Sequence, residues 1–257
     1  MKTYSLRQPT SWATVGLAFL LTAAPTAQAQ LIINNGGFEA GLASWTRADQ
    51  LGSLGTFALQ TGTVSPVTNT IVPAPPGGIR AAMTDSAGPG SHVLFQDFVV
   101  PSLPIGSAQL RFDVFVGNRA NAFFIPATPT LDFSTPALNQ QARVDILNAA
   151  TDPFSVSALD VLANAYQTRT TDPLVSGYTS INLDVTALLA SRAGSTLRLR
   201  FAEVDNVSTF QFGVDNVSLI VSPIPEPTSI ALCGIGALIA LKRYRRNQST
   251  DAKLLSA

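Results

Sequence analysis

The stretch Gln109-Leu110-Arg111-Phe112-Asp113-Val114-Phe115-Val116 alternates polar and apolar side chains, and that period decides the fold class. Successive Cβ atoms of a strand point to opposite faces, so this pattern predicts a strand with one face in a core and one in water. The same signature, rich in β-branched and aromatic residues, recurs at 92–100, 143–147, 179–183 and 196–201. Gly, Pro, Asn and Asp punctuate these runs, as strand boundaries require. One piece reads as a helix, Val185 to Arg192, with Asp184 as N-cap and Gly194 as stop. Residues 160–166 fit strand or helix equally. The prediction is all-β: a two-sheet sandwich of jelly-roll type over residues 30–222. Two connections are long. The proline-rich 61–78 reads as surface decoration, whereas 118–140 carries Phe123, Phe124, Ile125 and Phe133 and is predicted to pack.

Composition narrows the function classes. The 257 residues are 46% hydrophobic and 12% charged, which permits an ordinary core and excludes wholesale disorder. Net charge is zero, against a nucleic-acid binder that works by neutralising phosphates. One cysteine (Cys233) and one histidine (His92) leave no disulfide framework, no thiolate zinc cage and little for a histidine-based triad. The zero hides a partition. Between Gln30 and Pro227 nine arginines face 15 acids and leave that stretch at −6, while Lys2, Arg7, Lys242, Arg243, Arg245, Arg246 and Lys253 make both ends basic.

The ends explain the partition. Residues 1–29 read as a secretory signal: Lys2 and Arg7, a short apolar run from Ala13 to Leu21, then Ala27-Gln28-Ala29 as a cleavage site. At the other end Pro223-Ile224-Pro225-Glu226-Pro227 is a stiff linker that refuses helix. The apolar Ser229–Leu241 follows, predicted as a single helix, and then Lys242-Arg243-Tyr244-Arg245-Arg246 and a polar tail, 247–257. As a helix the 13-residue run rises about 20 Å, marginal for a permanent span but adequate for a transient transmembrane stop held by the basic cluster. Pro225-Glu226-Pro227, an apolar helix and an Arg-rich end (Arg243, Arg245, Arg246) together resemble the PEP-CTERM sorting signal over residues 223–246. The resemblance implies a bacterial envelope or extracellular-matrix protein, exported by the general secretory route. It would be held transiently in the inner membrane and processed by exosortase.

Two segments at opposite ends of the body also pair by pattern. Asn34-Asn35-Gly36-Gly37-Phe38-Glu39, followed by Trp45, and Phe212-Gly213-Val214-Asp215-Asn216-Val217-Ser218-Leu219 resemble the first and last strands of carbohydrate-binding-module-like jelly rolls. That resemblance implies neighbouring strands and a structural calcium ion, with Glu39, Asp215 and a backbone oxygen near Asn34 or Asn35 as ligands. Ca²⁺ takes several hard oxygens, which carboxylates and turn carbonyls supply. The alternative is that both acids cap turns by accepting backbone N–H groups. Trp45 is a candidate for stacking on a sugar ring, with core packing as the competing account. Val204–Ser208 recurs as Val214–Ser218, which reads as a locally duplicated hairpin.

Catalytic patterns are missing: there is no G-x-S-x-G elbow, no H-E-x-x-H and no phosphate-cradling loop. Asp113, Asp145, Glu203 and Asp205, and Arg198 and Arg200 with Arg111 or Arg143, read as solvated strand faces. No catalytic residue is assigned. The expectation is a non-catalytic module associated with extracellular polysaccharide; the alternative is a structural surface-coat protein with no sugar site.

Overall fold

The alternating segments pair into two antiparallel sheets. The computed structural model describes residues 28–224 and 234–243. In chain order the elements are β1 (Gln30–Leu31), β2 (Thr46–Asp49), β3 (Thr56–Thr61), β4 (Arg80–Asp85), β5 (Gly90–Val99), β6 (Ile105–Asn118), β7 (Gln140–Asn148), β8 (Val161–Gln167), β9 (Thr179–Asp184), α1 (Thr186–Ala190), β10 (Thr196–Asp205) and β11 (Phe210–Pro223). Sheet A runs β3-β4-β11-β6-β9 with β1 on the free flank of β11; sheet B runs β2-β5-β10-β7-β8. The opening and closing segments are neighbours, as their pairing predicted: Gln30 sits opposite Val221 and Leu31 opposite Ile220. Further in, the Ile32 N–H donates to Leu219 O (2.8 Å) and the Val217 N–H to Gly36 O (2.9 Å). A Cβ at Gly36 would stand 1.8 Å from Val217 O, so the close approach there requires glycine.

Alternation fills the space between the sheets. Leu94 and Phe98 of β5, Val144 and Ile146 of β7, and Leu197, Leu199 and Phe201 of β10 meet Leu110, Phe112 and Val114 of β6 and Phe212 of β11. An aromatic chain crosses this core, with ring centroids 5.4 Å apart for Phe38–Trp45, 5.8 Å for Trp45–Phe201 and 5.6 Å for Phe201–Phe112.

The outward faces depart from the expectation of wet strands. The 62–78 connection lies on sheet A, where Val72 packs on Met83 and Phe115 beside Tyr178. On sheet B, Leu131 and Phe133 from the 119–139 connection and Phe154 and Val156 from 149–160 cover Val93, Ala202 and Val204. Most outward positions of β7 and β10 are therefore buried, and Asp145, Arg143, Arg198 and Arg200 with them; Glu203 and Asp205 are buried on the inward face of β10. The 61–78 connection is thus a second layer of packing and not decoration. Most of its side chains are polar, small or proline, but its Val72 is buried and its backbone is held from below, which composition does not reveal.

Three local expectations also shift. The helix spans only Thr186–Ala190, with Val185 at the N-cap position; Asp184 Oδ1 still accepts the Thr186 N–H at 2.8 Å. Residues 161–167 form a strand. The repeated Val-Asp-Asn-Val-Ser is no duplicated hairpin: the first copy ends β10 and begins the turn, whereas the second lies inside β11 at a bulge with Asn216 at φ 51°. Residues 234–243 are helical and exposed, and among the described residues no helix is long and apolar enough to cross a membrane. The signal segment, the Pro-Glu-Pro motif and Arg245 and Arg246 lie outside the described residues; Arg243 lies in the exposed helical stretch.

Candidate functional site

Sheet B carries its arginines on the outward face because β7 and β10 each alternate, and cross-strand register sets Asp145 opposite Arg200. Arg143 donates to both oxygens of Asp145, Nε to Oδ2 and Nη2 to Oδ1, each at 2.7 Å. Arg200 Nη2 donates to Oδ2 of the same carboxylate, and Asn164 Nδ2 to Oδ1 at 2.8 Å. Burial alone would raise the Asp145 carboxyl. The hydrogen bonds and charges of Arg143 and Arg200 outweigh it and hold that carboxyl below the ordinary range. The arginines also fasten the loop above them. Arg200 Nη1 donates to Pro153 O and Ser155 O, both at 2.7 Å, and Arg198 Nη1 to Thr151 O at 3.1 Å. Arg198 is fixed in turn by a two-pronged bond to Asp97 and by the Phe95 ring 4.0 Å beneath its guanidinium. The companion loop is tied by Asn206, whose Nδ2 donates to the carbonyls of Phe133, Thr135 and Ala137.

Between these two secured loops lies an open groove of about 450 Å³, lined by Gln50, Thr130, Asp132, Asp152, Phe154, Ser155 and their neighbours. Its polar atoms are preset. Asp132 accepts from Gln50 Nε2, from the Ser134 N–H and from Ser134 Oγ, and the Gln50 bond is the chief reason its carboxyl stays below the ordinary range. Ser155 Oγ donates to Asp160 Oδ2 at 2.6 Å, and the Phe154 N–H to Asp152 Oδ1 at 2.9 Å. Carboxylates, an amide and hydroxyls beside one aromatic ring are the chemistry that takes several hydroxyl groups at once while offering an apolar plane. Sequence reading missed this site. Its acids come from two distant loops, and no spacing joins them.

The residues singled out in the sequence lie elsewhere. Trp45 is 8% exposed, packed between Phe38 and Phe201, with Nε1 donating to Asn35 O at 3.1 Å; it is core, and no sugar reaches its face. Glu39 and Asp215 do converge, on the two sides of Gly77–Arg80. Glu39 Oε1 accepts the N–H groups of Ile79 (2.9 Å) and Arg80 (3.0 Å). Asp215 Oδ2 accepts the Gly77 N–H (2.9 Å), and its Oδ1 the Asn216 N–H (2.7 Å). Asn35 turns away: its Nδ2 donates to Gly41 O and Ala43 O, and its Oδ1 accepts the Ala40 N–H. Among the described residues no group of three or more His, Cys, Asp or Glu side chains is placed to hold a metal. In this arrangement the donor set does not fit calcium. The two acids clamp a loop through its amides, the capping role that was the alternative. Burial, reinforced by the charges of Asp113 and Glu39, pushes the Asp215 carboxyl up to about 6 against the pull of those amides.

A second polar group is enclosed within the sandwich. Glu203 faces His92 across β10 and β5, is 1% exposed, and its Oε1 has no hydrogen-bond partner. Burial, then the charge of Asp205, raises its carboxyl well above the ordinary value. Asp205 Oδ1 accepts the Gly90 N–H at 2.8 Å, and burial pushes that carboxyl up to about 7. His92 meets acceptors on both sides, Asp49 Oδ1 at 2.7 Å from Nδ1 and Leu54 O at 3.2 Å from Nε2. None of these groups lines the groove.

No family model and no curated protein sequence matches the chain. Among solved structures it is similar to TmCBM61 in complex with beta-1,4-galactotriose, at 12% identity and TM-score 0.41, covering 77% of this chain and 99% of that one. It is also similar to the apo form of a cyclase from Fischerella sp., at 20% identity and TM-score 0.45, covering 78% and 100%. A third is the K1 cleaved adhesin domain of Lys-gingipain from Porphyromonas gingivalis W83, at 10% and 0.38, covering 77% and 98%. Identities of 10–20% and TM-scores below 0.5 identify neither a site nor a ligand in this chain.

Proposed function

We propose that the chain is an exported envelope or matrix protein whose jelly-roll body is a non-catalytic binding module for extracellular polysaccharide. The groove over sheet B carries this reading. It is open, one wall is fastened by Arg198 and Arg200, and its hydrogen-bonding groups stand beside Phe154. The carboxyls whose ionisation is most disturbed, Glu203 and Asp205, are buried away from this groove, which supports binding over hydrolysis there. The test is a glycan array probed with residues 28–224, followed by titration of any hit. Asp132→Ala and Phe154→Ala should each weaken binding by about tenfold or more, while Leu159→Ala, exposed outside the groove, leaves it unchanged. An array without hits overturns the polysaccharide reading and leaves the surface-coat alternative.

The sorting reading rests on the Pro225-Glu226-Pro227, apolar and Arg-rich order of the C-terminal sequence. Intact-mass measurement on extracellular material tests it. Removal of the apolar run and basic cluster is the expected result, and a mass retaining Ala257 refutes processing.

A further inference from the structure

We infer that the end of the sandwich where the chain enters and leaves lies against a lipid surface. β1 and the last residues of β11 are register partners, so residues 30 and 223 leave the body side by side. Around them the apolar side chains are bare: Leu31 is 65% exposed, Leu103 54% and Ile224 50%. Ile220, opposite Leu31, is 38% exposed. They adjoin one another. The Ile224 N–H donates to Pro104 O at 2.8 Å, and Pro101, Leu103 and Pro223 share a shallow apolar cleft. None of residues 28–38, 98–108 and 219–224 is ionisable, in a body that carries −6 between Gln30 and Pro227. The 184–195 segment bonded to Val100 and Ala108 adds Asp184 and Arg192 at the rim of this end, and an apolar patch so rimmed is costly in water and suited to the boundary of a bilayer.

Chain length sets the distance. Only residues 225–228 separate Ile224 from the apolar run at 229–241, and four residues reach at most about 14 Å. That run is 13 residues, about 20 Å as a helix, against an apolar thickness of about 30 Å. A segment that short is accommodated by local thinning of the bilayer and leaves no apolar residues over for a spacer, so the four linking residues alone set how far the body can stand off. The inference rests on insertion of 229–241, and the experiment separates the two claims.

The full chain is reconstituted in phosphatidylcholine–phosphatidylglycerol vesicles with a fluorophore on one cysteine at a time. The sites are native Cys233, and Leu103→Cys, Ile220→Cys or Val207→Cys in a Cys233→Ser background. Val207 lies in the β10–β11 turn, away from the paired termini. Deep spin-labelled lipid should quench the probe at 233. Headgroup spin label should quench those at 103 and 220, which should be at least threefold less accessible to aqueous iodide than the probe at 207. If 233 is quenched but 103 and 220 are as open to iodide as 207, the inference fails and insertion stands. If 233 is not quenched, both fall. Shielding at 103 and 220 that persists in detergent and grows with protein concentration assigns this end to contact between copies and also overturns the proposal.

Discussion

Raising the pH should destabilise this protein across a range where most proteins are indifferent, because Glu203 and Asp205 share an enclosed space. Burial pushes Asp205 from an ordinary 3.8 up to about 7 and sets Glu203 well above 4.5. The folded chain therefore holds protons that the unfolded chain releases. A carboxyl raised in this way contributes stability that is complete below about pH 4 and lost as pH climbs through its folded value. For Asp205 the span is about three units, and 1.36 kcal/mol per unit sets a ceiling of about 4 kcal/mol. A domain of this size loses about 2–4 °C per kcal/mol, so Asp205 alone should lower the melting temperature by up to about 8–16 °C between about pH 4.5 and 8, and Glu203 adds to the fall. Asp85, Asp132, Asp145 and Asp184 are held below their ordinary values, and their contributions are already complete above about pH 4. Asp215, raised to about 6, slopes the same way as Asp205, so variants are needed to isolate the pair. Melts followed by circular dichroism should show the fall in wild type. Most of it should vanish in a Glu203→Gln, Asp205→Asn double variant, with the Asp215 part remaining. A flat or rising wild-type profile over that range, or an undiminished slope in the double variant, refutes the reasoning.

Gly36→Ala should cost several kcal/mol and leave much of the chain unfolded at 37 °C, because its Cβ would overlap Val217 O; urea titration measures the loss. Arg200→Ala leaves a gap in a fully buried pair and should lose about 3–5 kcal/mol by the same assay, whereas Arg143→Lys should lose less. Glu39→Ala and Asp215→Ala should each release the 77–80 loop, seen as faster hydrogen exchange at Gly77, Ile79 and Arg80 and about 1–3 kcal/mol of lost stability. If these acids serve the loop alone, the melting temperature in chelator and in about 10 mM Ca²⁺ should agree within about 1 °C; a rise of about 5 °C or more with calcium contradicts the clamp.

The strands were legible because alternation is a property of one segment at a time. Residues 109–116 needed no partner to declare which side faces a core. What covers the other side is not local. Asp113 and Phe115 share the face that alternation reads as wet, yet the 62–78 connection packs over it. That connection is fixed by Asp85, which accepts the Val67 and Thr68 N–H groups and the Thr68 hydroxyl, and by Glu39 and Asp215, mostly through backbone amides. A bond whose donor is the main chain leaves no trace in side-chain identity. The pairing of the Asn34–Glu39 and Phe212–Leu219 segments was readable as pattern, and its geometry held while its assigned calcium chemistry did not fit. The groove was invisible because Gln50, Asp132 and Asp152 meet only after two connections fold back over sheet B.

β11 is the strand from which the C-terminal segment departs, and it is not an edge. Along its length it pairs with β6 on one flank, and on the other with β4 and β1. A pull from the C-terminal side is thus directed along a 14-residue strand enclosed by partners, so its hydrogen bonds are loaded in shear and not peeled one by one. Forced unfolding is governed by the unfolding rate, and this connectivity keeps that rate low when the load comes through the tail. A polymer dragging on the groove of sheet B would strain the body through its best-held strand. On the proposed reading, the strand that leads to the tail is also the one best placed to carry load.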